Sequence, residues 1–310
     1  MKTPLSEALR ALVGQSVAAI DTPALVVDLD AMKRNLNRMA EFAKKHDVRW
    51  RAHAKMHKSS ALAKLQILAG ASGVCVQKTS EAEAMVEGGV HDVYISNEVI
   101  APAKLARVAA LAQRLAAEHG KLAIAVDSAE GVAGLAQALA GAPASCIDVF
   151  IEIDVGQARC GLPPGEAAVA LAQAIARHPA LRLAGLQAYH GGAQHRRSPA
   201  EREAALAQAC DAVRRTRDAL LALGFNDAEA MRSYIVRHSP LKLADFQGSL
   251  QMVQTSLEGT QADFEYAIAM IFGMLPLFLA IGSLAVGPAN GSGRLRGLAA
   301  ALGRFRENDR

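Results

Sequence analysis

The feature that most constrains the fold is a regular alternation of apolar segments of strand length with longer helical segments between residues 24 and 222. Such alternation is typical of a parallel sheet, because each helix carries the chain back to the start of the next strand. The pattern by itself allows a doubly wound open sheet or an eight-stranded barrel. A barrel needs one more strand, and no obvious candidate follows Gly224. We predict seven strands, at 24–30, 48–55, 73–78, 92–97, 121–128, 147–155 and 181–191.

Two of the intervening segments, 102–119 and 199–223, have the apolar spacing and the length of helices. The second also has a clear start signal. Ser198 can cap the helix, Pro199 suits its first position, and Glu201 completes a capping box three residues after the serine. We therefore predict a long helix that begins at Pro199.

The stretch after residue 224 differs in character from the segments before it. Residues 266–286 form an uncharged run of 21 residues, which is long enough to span a bilayer. Two interpretations stay open for this run: a helix that associates with a membrane, or a buried hairpin that breaks at Gly273 or Pro276. We predict a barrel domain over 1–224 and an atypical C-terminal region over 225–310.

Composition and charge exclude several classes of protein. With 51% apolar and 21% charged residues, the chain is expected to be globular. The net charge is only +4, and lysines and arginines are scattered without interleaved aromatic residues, so no nucleic-acid partner is expected. The four cysteines form no CxxC pair, which argues against a zinc knuckle or a disulfide framework. The first residues lack the apolar core of a signal peptide, so we expect a cytoplasmic protein.

Polar side chains are concentrated where the predicted strands end. In a barrel these ends meet on one face, where active sites are found. The candidates at these ends are Arg51, His53, Lys55, Gln77, Lys78, Asn97, Asp127, Asp154, Gln157, Arg159, Tyr189, His190, Gln194 and His195.

The segment RAHAKMHKS, which contains Lys55, is the most informative of these ends. A lysine that closes a strand in a partly dry barrel mouth is disfavoured as an ammonium ion and becomes a neutral amine ready to form a Schiff base. The neighbouring charges of Arg51 and Lys58 are expected to act in the same direction. A basic loop after a strand is also typical of a solvated surface that contacts phosphate, and residue types alone leave both interpretations open.

Four motifs occur in order: RAHAKMHKSSALAKLQ, GVCVQKTSEAEAMVEGGVHDVYISNE, EIDVGQARCGLPPGEA and GLQAYHGGAQH. Over about residues 21–224 the chain resembles the D-threonine aldolase and 3-hydroxy-D-aspartate aldolase group. That group belongs to the alanine-racemase-like (fold-type III) enzymes that use pyridoxal 5'-phosphate, and D-serine dehydratases are related to it. The resemblance implies an α/β fold, a (β/α)8-type TIM barrel that is incomplete in this chain.

The resemblance also implies roles for individual residues. Lys55 matches the lysine that carries pyridoxal phosphate, Arg159 an arginine beside the cofactor, and Tyr189 a tyrosine of the cofactor pocket. His195 matches the histidine proposed as the base that acts on the 3-hydroxyl group of the substrate, although its position before two arginines also suits plain loop surface. Candidate cofactor-binding residues at neighbouring strand ends are His53 and Gln77.

The activity implied by the resemblance is cleavage of a 3-hydroxy-D-amino acid, D-threonine or D-3-hydroxyaspartate, to glycine and an aldehyde. One alternative is a dehydratase acting on D-serine or 3-hydroxyaspartate, although the GGAQH motif favours the aldolase. The other is an inactive cofactor-binding barrel remnant tethered to a membrane through 266–286. A homodimer is compatible with the resemblance.

The resemblance stops after Gly224. There the group continues with an eighth strand, a Gly/Thr-rich loop for the cofactor phosphate, and a second domain that holds a divalent metal, Mn or Mg. This chain shows none of these, and His238 is the only histidine beyond His195, so no metal ligand is assigned. The departure indicates a truncated, frameshifted or composite chain.

Overall fold

The structure, a computed structural model, describes residues 7–24, 26–45, 49–141 and 145–225. The strands are β1 (Ala52–His53), β2 (Val74–Val76), β3 (Asp92–Glu98), β4 (Lys121–Val126), β5 (Ile147–Glu152) and β6 (Leu181–Gln187). The α-helices are α1 (Glu7–Ala11), α2 (Leu29–Lys45), α3 (Ser60–Leu68), α4 (Thr79–Glu87), α5 (Pro102–Ala117), α6 (Ala129–Leu139), α7 (Glu166–Ala176) and α8 (Pro199–Ala222).

The six strands form one parallel sheet in the order β1-β2-β3-β4-β5-β6. A doubly wound sheet reverses its strand order at a switch point, and this sheet does not. Helices α3 to α7 each contact the next helix along the chain. Sequential parallel strands with a continuous row of helices are the arrangement of a (β/α) barrel, so the α/β prediction is confirmed, while closure of the barrel stays a prediction.

Strands β2 to β6 each send side chains to two separate apolar clusters, because side chains alternate between the faces of a sheet. On β3, for example, Val93 and Ile95 join the large core between sheet and helices, whereas Tyr94 belongs to a smaller cluster. The smaller cluster lies on the face away from the helices, where a barrel has its interior. Its members are Cys75, Tyr94, Ala123, Ala125, Phe150 and Ala184.

Both long helices predicted from the sequence are confirmed. Helix α5 begins at Pro102, and α8 begins at Pro199 after the expected capping box. The Ser198 hydroxyl accepts the Glu201 N–H at 3.2 Å, and the Glu201 carboxylate accepts the Ser198 N–H at the same distance.

The strand predicted at 24–30 is wrong over the residues that the structure describes there. Residues 24 and 26–28 have no regular secondary structure, and helix α2 already begins at Leu29. Asp28 explains the difference, because its Oδ1 accepts the N–H groups of Asp30 at 3.0 Å and Ala31 at 2.9 Å. A carboxylate that satisfies these two otherwise unpaired donors starts a helix at this position.

Among the helices that the structure describes, none combines the length and the apolar character needed to cross a bilayer. The run 266–286 lies outside the described residues, as does everything from 226 to 310. The division of the chain at residue 224 therefore stays a prediction.

The cap of helix α2 can be tested by mutation. We expect Asp28→Ala to lower the free energy of unfolding by about 1 kcal/mol, because two backbone donors lose their acceptor. Asp28→Asn is the matched control, since its side-chain oxygen can still accept both N–H groups. Urea unfolding measures both variants. An equal loss in Asp28→Asn would show that the charge, rather than the cap hydrogen bonds, stabilises the helix.

Candidate active site

Lys55 lies in a tight turn directly after β1, and two backbone hydrogen bonds hold this turn in place. The Ala54 N–H donates to the Cys75 carbonyl at 2.7 Å, and the Lys58 N–H closes the turn on the Ala54 carbonyl at 2.8 Å. The Lys55 N–H itself points to Nδ1 of His53 at 3.4 Å. These bonds fix the backbone of Lys55 at the carboxyl end of β1 and leave its side chain half-buried.

Glu81, on helix α4, connects this turn to the end of β2. Its Oε1 binds the ammonium group of Lys58, and its Oε2 accepts the N–H groups of Gln77 at 2.9 Å and Lys78 at 3.3 Å. Burial opposes the charge of this carboxyl, but the hydrogen bonds from Lys58 and Gln77 outweigh it and lower the pKa of Glu81. Sequence analysis missed this residue, although an acidic residue in the first turn of a helix is a typical signal of a helix start.

The pKa of Lys55 is lowered, first by burial and then by the positive charge of Arg159. The sequence correctly predicted a disfavoured ammonium, but it named the wrong charges. Arg51 binds Asp92 at 2.6 Å, at the start of β3 and therefore at the amino-terminal edge of the sheet. Lys58 is paired with Glu81. The effective neighbour, Arg159, is distant along the chain.

His53 is a neutral imidazole beside this amine. It is 8% exposed, and its Nε2 lies 3.3 Å from the Ser96 hydroxyl on β3. Burial, followed by the charge of Lys55, lowers the pKa of His53 to about 4, against a partial opposing effect of a hydrogen bond with Gln77. The structure thus brings His53 and Gln77 together with Lys55, as the sequence predicted from their positions at neighbouring strand ends.

Lys55, His53 and Gln77 form one side of a polar cluster at the carboxyl edge of the sheet. Arg159 and Tyr189 form its other side. The guanidinium carbon of Arg159 lies 4.9 Å from the centre of the Tyr189 ring, which is cation–π geometry. Arg159 comes from the loop after β5, and Tyr189 follows β6, so both belong to the carboxyl edge that carries Lys55.

The loop that presents Arg159 is held by Asp154 and Gln157. Oδ1 of Asp154 accepts three successive backbone N–H groups, those of residues 156, 157 and 158, at 2.9 to 3.0 Å. The Gln157 side chain accepts the Gly192 N–H at 2.5 Å, which joins this loop to the 3-10 helix Gly191–His195. A Cβ at Gly191 would come within 2.5 Å of the Tyr189 hydroxyl, so the paired glycines allow this close approach.

Among the six residues predicted to act in catalysis or cofactor binding, His195 is the one that the structure does not bring into the cluster. It ends the 3-10 helix Gly191–His195 with an exposed side chain. That side chain makes no hydrogen bond, ion pair or ring contact with Lys55, Arg159 or Tyr189, all of which are described residues. His190 is instead buried, with its ring packed on Gly156.

Four polar residues that the sequence did not indicate lie behind Arg159. The hydroxyl of Tyr94 donates to Oε1 of Gln187, and Nε2 of Gln187 donates to Oε2 of Glu152. Burial, followed by a hydrogen bond and charge repulsion from Glu98, raises the pKa of Glu152 to about 8. The signal in the sequence that could have indicated them is a polar residue at the end of each of three apolar strands: Glu98, Glu152 and Gln187.

This arrangement of a half-buried amine, a neutral imidazole and a guanidinium over a tyrosine ring can be compared with known families. The sequence profile of the alanine racemase N-terminal domain matches residues 27–229. The chain belongs to this family.

Two of the relatives to which the chain is similar are aldolases. It is 45% identical to a D-threonine aldolase of Arthrobacter sp. over 196 residues, which are 63% of this chain and 50% of that protein. It is 44% identical to a 3-hydroxy-D-aspartate aldolase of Paracoccus denitrificans over 215 residues, which are 69% and 54%. A D-threo-3-hydroxyaspartate dehydratase of Delftia sp. is 33% identical over 207 residues, covering 64% of this chain and 53% of the dehydratase. The chain thus spans about half the length of these relatives.

Solved structures agree with this placement. The crystal structure of D-threonine aldolase from Filomicrobium marinum matches with a TM-score of 0.64 and 47% identity, over 67% of this chain and 54% of that one. Alanine racemase of Bacillus anthracis matches with a TM-score of 0.53 and 20% identity, over 64% and 48%, and shows the fold alone.

The family implies pyridoxal phosphate, and the described residues fit its aldehyde and ring. Lys55 offers an amine that burial and Arg159 make easier to deprotonate, and the Arg159–Tyr189 pair offers a flat polar surface beside it. The phosphate loop and eighth strand implied by the resemblance would follow Gly224, outside the described residues. For a metal, residues 7–225 as described hold no group of three or more His, Cys, Asp or Glu side chains that could bind one.

The effect of Arg159 on Lys55 is directly measurable. We expect Arg159→Met to raise the pKa of Lys55, because one of the two causes that disfavour its ammonium form is removed while burial remains. The pH dependence of Lys55 acetylation by acetic anhydride, followed by mass spectrometry of the peptide, reports this pKa.

The control is Arg107→Met, which removes a surface arginine paired with Glu83 on another helix. An Arg159→Met protein whose Lys55 acetylates with the wild-type pH profile would refute the electrostatic contact.

Proposed function

We propose that the protein is a pyridoxal-phosphate-dependent aldolase, a carbon–carbon lyase that cleaves 3-hydroxy-D-amino acids such as D-threonine or D-3-hydroxyaspartate to glycine and an aldehyde. The observation that carries the proposal is the half-buried Lys55 amine, whose pKa is lowered by burial and by Arg159. Identities of 44–45% to two aldolases support the same activity.

Each residue of the cluster has a task in this proposal. Lys55 holds the cofactor, because a neutral amine can attack an aldehyde carbon. His53 stays neutral and adds no positive charge next to that amine, and Gln77 orients it by a hydrogen bond. Arg159 and Tyr189 bind beside the cofactor ring. Pyridoxal phosphate, when bound, supplies an electron sink for the charge left on the substrate Cα.

His195 moves the proton that starts the cleavage. Its imidazole accepts the proton of the substrate's 3-hydroxyl group, as histidine can near neutral pH. The Cα–Cβ bond then breaks, the hydroxyl carbon becomes the aldehyde carbon, and Cα gains a proton to give glycine. Its place at the end of the 3-10 helix after β6, beside the residues that hold Tyr189 and Arg159, supports this role.

Other parts of the proposal rest on the resemblance. A divalent metal, Mn or Mg, is expected for aldolases of this group, but the described residues offer no site for it, so we assign no ligand and derive no step through it. A homodimer, a cytoplasmic location and membrane association through 266–286 likewise stay predictions. The Delftia relative makes dehydration the second candidate activity.

Cofactor binding is tested with the full chain. Purified protein mixed with pyridoxal phosphate should develop a visible absorbance band that Lys55→Ala lacks. Lys64→Ala, which removes an exposed lysine of helix α3, is the control and should keep the band. Persistence of the band in Lys55→Ala would remove Lys55 from its role, and its absence in the wild-type protein would overturn the proposal.

The reaction is tested with two substrates. Release of acetaldehyde from D-threonine supports the aldolase, whereas release of pyruvate from D-serine supports the dehydratase. We expect His195→Asn to keep the cofactor band and to lose about 100-fold or more in kcat, because a general base typically contributes that much.

His119→Asn is the matched control, since His119 is exposed and has a positive φ of 55° that asparagine tolerates. Wild-type turnover in His195→Asn would exclude His195 as the base.

A further inference from the structure

Four buried or partly buried polar residues lie behind Arg159 and have no task in the proposed reaction: Tyr94, Glu98, Glu152 and Gln187. Burying polar groups lowers the stability of the fold unless they are paired. Tyr94 is fully buried, and Glu152 is only 2% exposed. An unpaired carboxylate at such depth lowers stability most. Glu98, Glu152 and Gln187 end strands β3, β5 and β6, at the edge of the sheet that carries Lys55 and Arg159, whereas Tyr94 lies within β3.

The hydrogen bonds of this group run in one direction toward Arg159. Tyr94 fixes Gln187, and Gln187 fixes Oε2 of Glu152. The other oxygen of Glu152, Oε1, then lies 3.8 Å from Nη2 of Arg159. Arg159 is 44% exposed at its side chain and comes from a loop, so this buried carboxyl and the Tyr189 ring are what hold its guanidinium on the cluster.

Glu98 completes the arrangement. Its Oε1 is buried and has no hydrogen-bond partner among the described residues, and its carboxyl is close enough to Glu152 to raise the pKa of that group. Two ionised carboxylates repel each other and cannot hydrogen-bond, whereas one proton between them allows a bond and leaves a single negative charge. That single charge matches the one positive charge of Arg159.

We propose that Glu98 and Glu152 form a carboxyl pair that positions Arg159 against Tyr189 and beside the cofactor, an inference that rests on the proposed function. The charged and titratable groups that face Glu152 are Glu98 from β3 and, from the loop after β5, Arg159 and Cys160; β6 contributes the uncharged Gln187. Glu98 and Glu152 are thus positioning residues, which act through Arg159 and not on the substrate.

The sign of a pKa change tests the proposal without the cofactor. If Glu152 holds Arg159, then Glu152→Ala lets the guanidinium move to solvent, and the pKa of Lys55 rises. Direct loss of a nearby carboxylate would do the opposite and lower the pKa of Lys55. The pH dependence of Lys55 acetylation in cofactor-free protein distinguishes the two.

The second readout is the affinity for pyridoxal phosphate, measured by absorbance titration of the full chain. We expect Glu152→Ala to weaken binding by about two- to fivefold, the range of a partly exposed ion pair. Glu152→Gln should bind like wild type at neutral pH, because its amide can donate to Glu98 while its oxygen accepts from Gln187. In an Arg159→Ala background, Glu152→Ala should have no further effect on either readout.

The control is Asp148→Ala, which removes the carboxylate that pairs with Arg182 at the opposite end of β5. Circular dichroism checks that each variant is folded. If Glu152→Ala does not fold, Glu152→Gln tests the proposal instead. A two- to fivefold loss of affinity for pyridoxal phosphate in Glu152→Gln would overturn the proposal. Unchanged Lys55 acetylation and affinity in folded Glu152→Ala would also overturn it. Failure of wild-type protein to bind the cofactor would instead refute the proposed function. The pH dependence of Lys55 acetylation would still test whether the carboxyl pair positions Arg159, because it is measured without the cofactor.

Discussion

The ammonium group of Lys55 lies where burial and the guanidinium of Arg159 both act against its charge, and the rest of the site is arranged around this repulsion. The turn that carries Lys55 is tied to β2 through the Cys75 carbonyl and through Glu81, which fixes the backbone of Lys55 at the carboxyl edge of the sheet. His53 avoids adding to the repulsion by staying neutral, with its pKa lowered to about 4 by burial and by Lys55. An amine whose positive charge is disfavoured is the group that a carbonyl cofactor requires.

The positive charge of Arg159 lies beside a buried carboxyl group of the sheet, that of Glu152. Glu152 closes β5 at 2% exposure, bonded to Gln187 and through it to Tyr94. Burial and then the neighbouring Glu98 raise the pKa of Glu152 to about 8, because two negative charges in one buried place repel each other strongly. In our proposal, Arg159 in the loop after β5 lies against the carboxyl pair that Glu152 at the end of β5 forms with Glu98 at the end of β3.

Local signals in the sequence predicted some elements well and others poorly. The capping box at Ser198 and Glu201 and the proline at 102 placed the starts of α8 and α5, because helix starts depend on a few adjacent residues. The apolar run at 24–30 was misassigned as a strand, since strand formation depends on a partner that the run itself cannot show, whereas Asp28 satisfies the first helix donors locally. The pattern also placed Arg51 with the site, although it faces Asp92 at the other edge of the sheet.

The sequence by itself determined the order of strands and helices and the set of polar residues at the strand ends, including Lys55, His53, Gln77, Arg159 and Tyr189, because alternation and position along a strand are properties of the local chain. Tertiary structure decided which charges act on which groups. That Arg159 rather than Arg51 or Lys58 faces Lys55, and that Glu98 meets Glu152, follows from the packing of parallel strands side by side. Electrostatic coupling depends on distance in space and on burial, and neither can be read from separation along the chain.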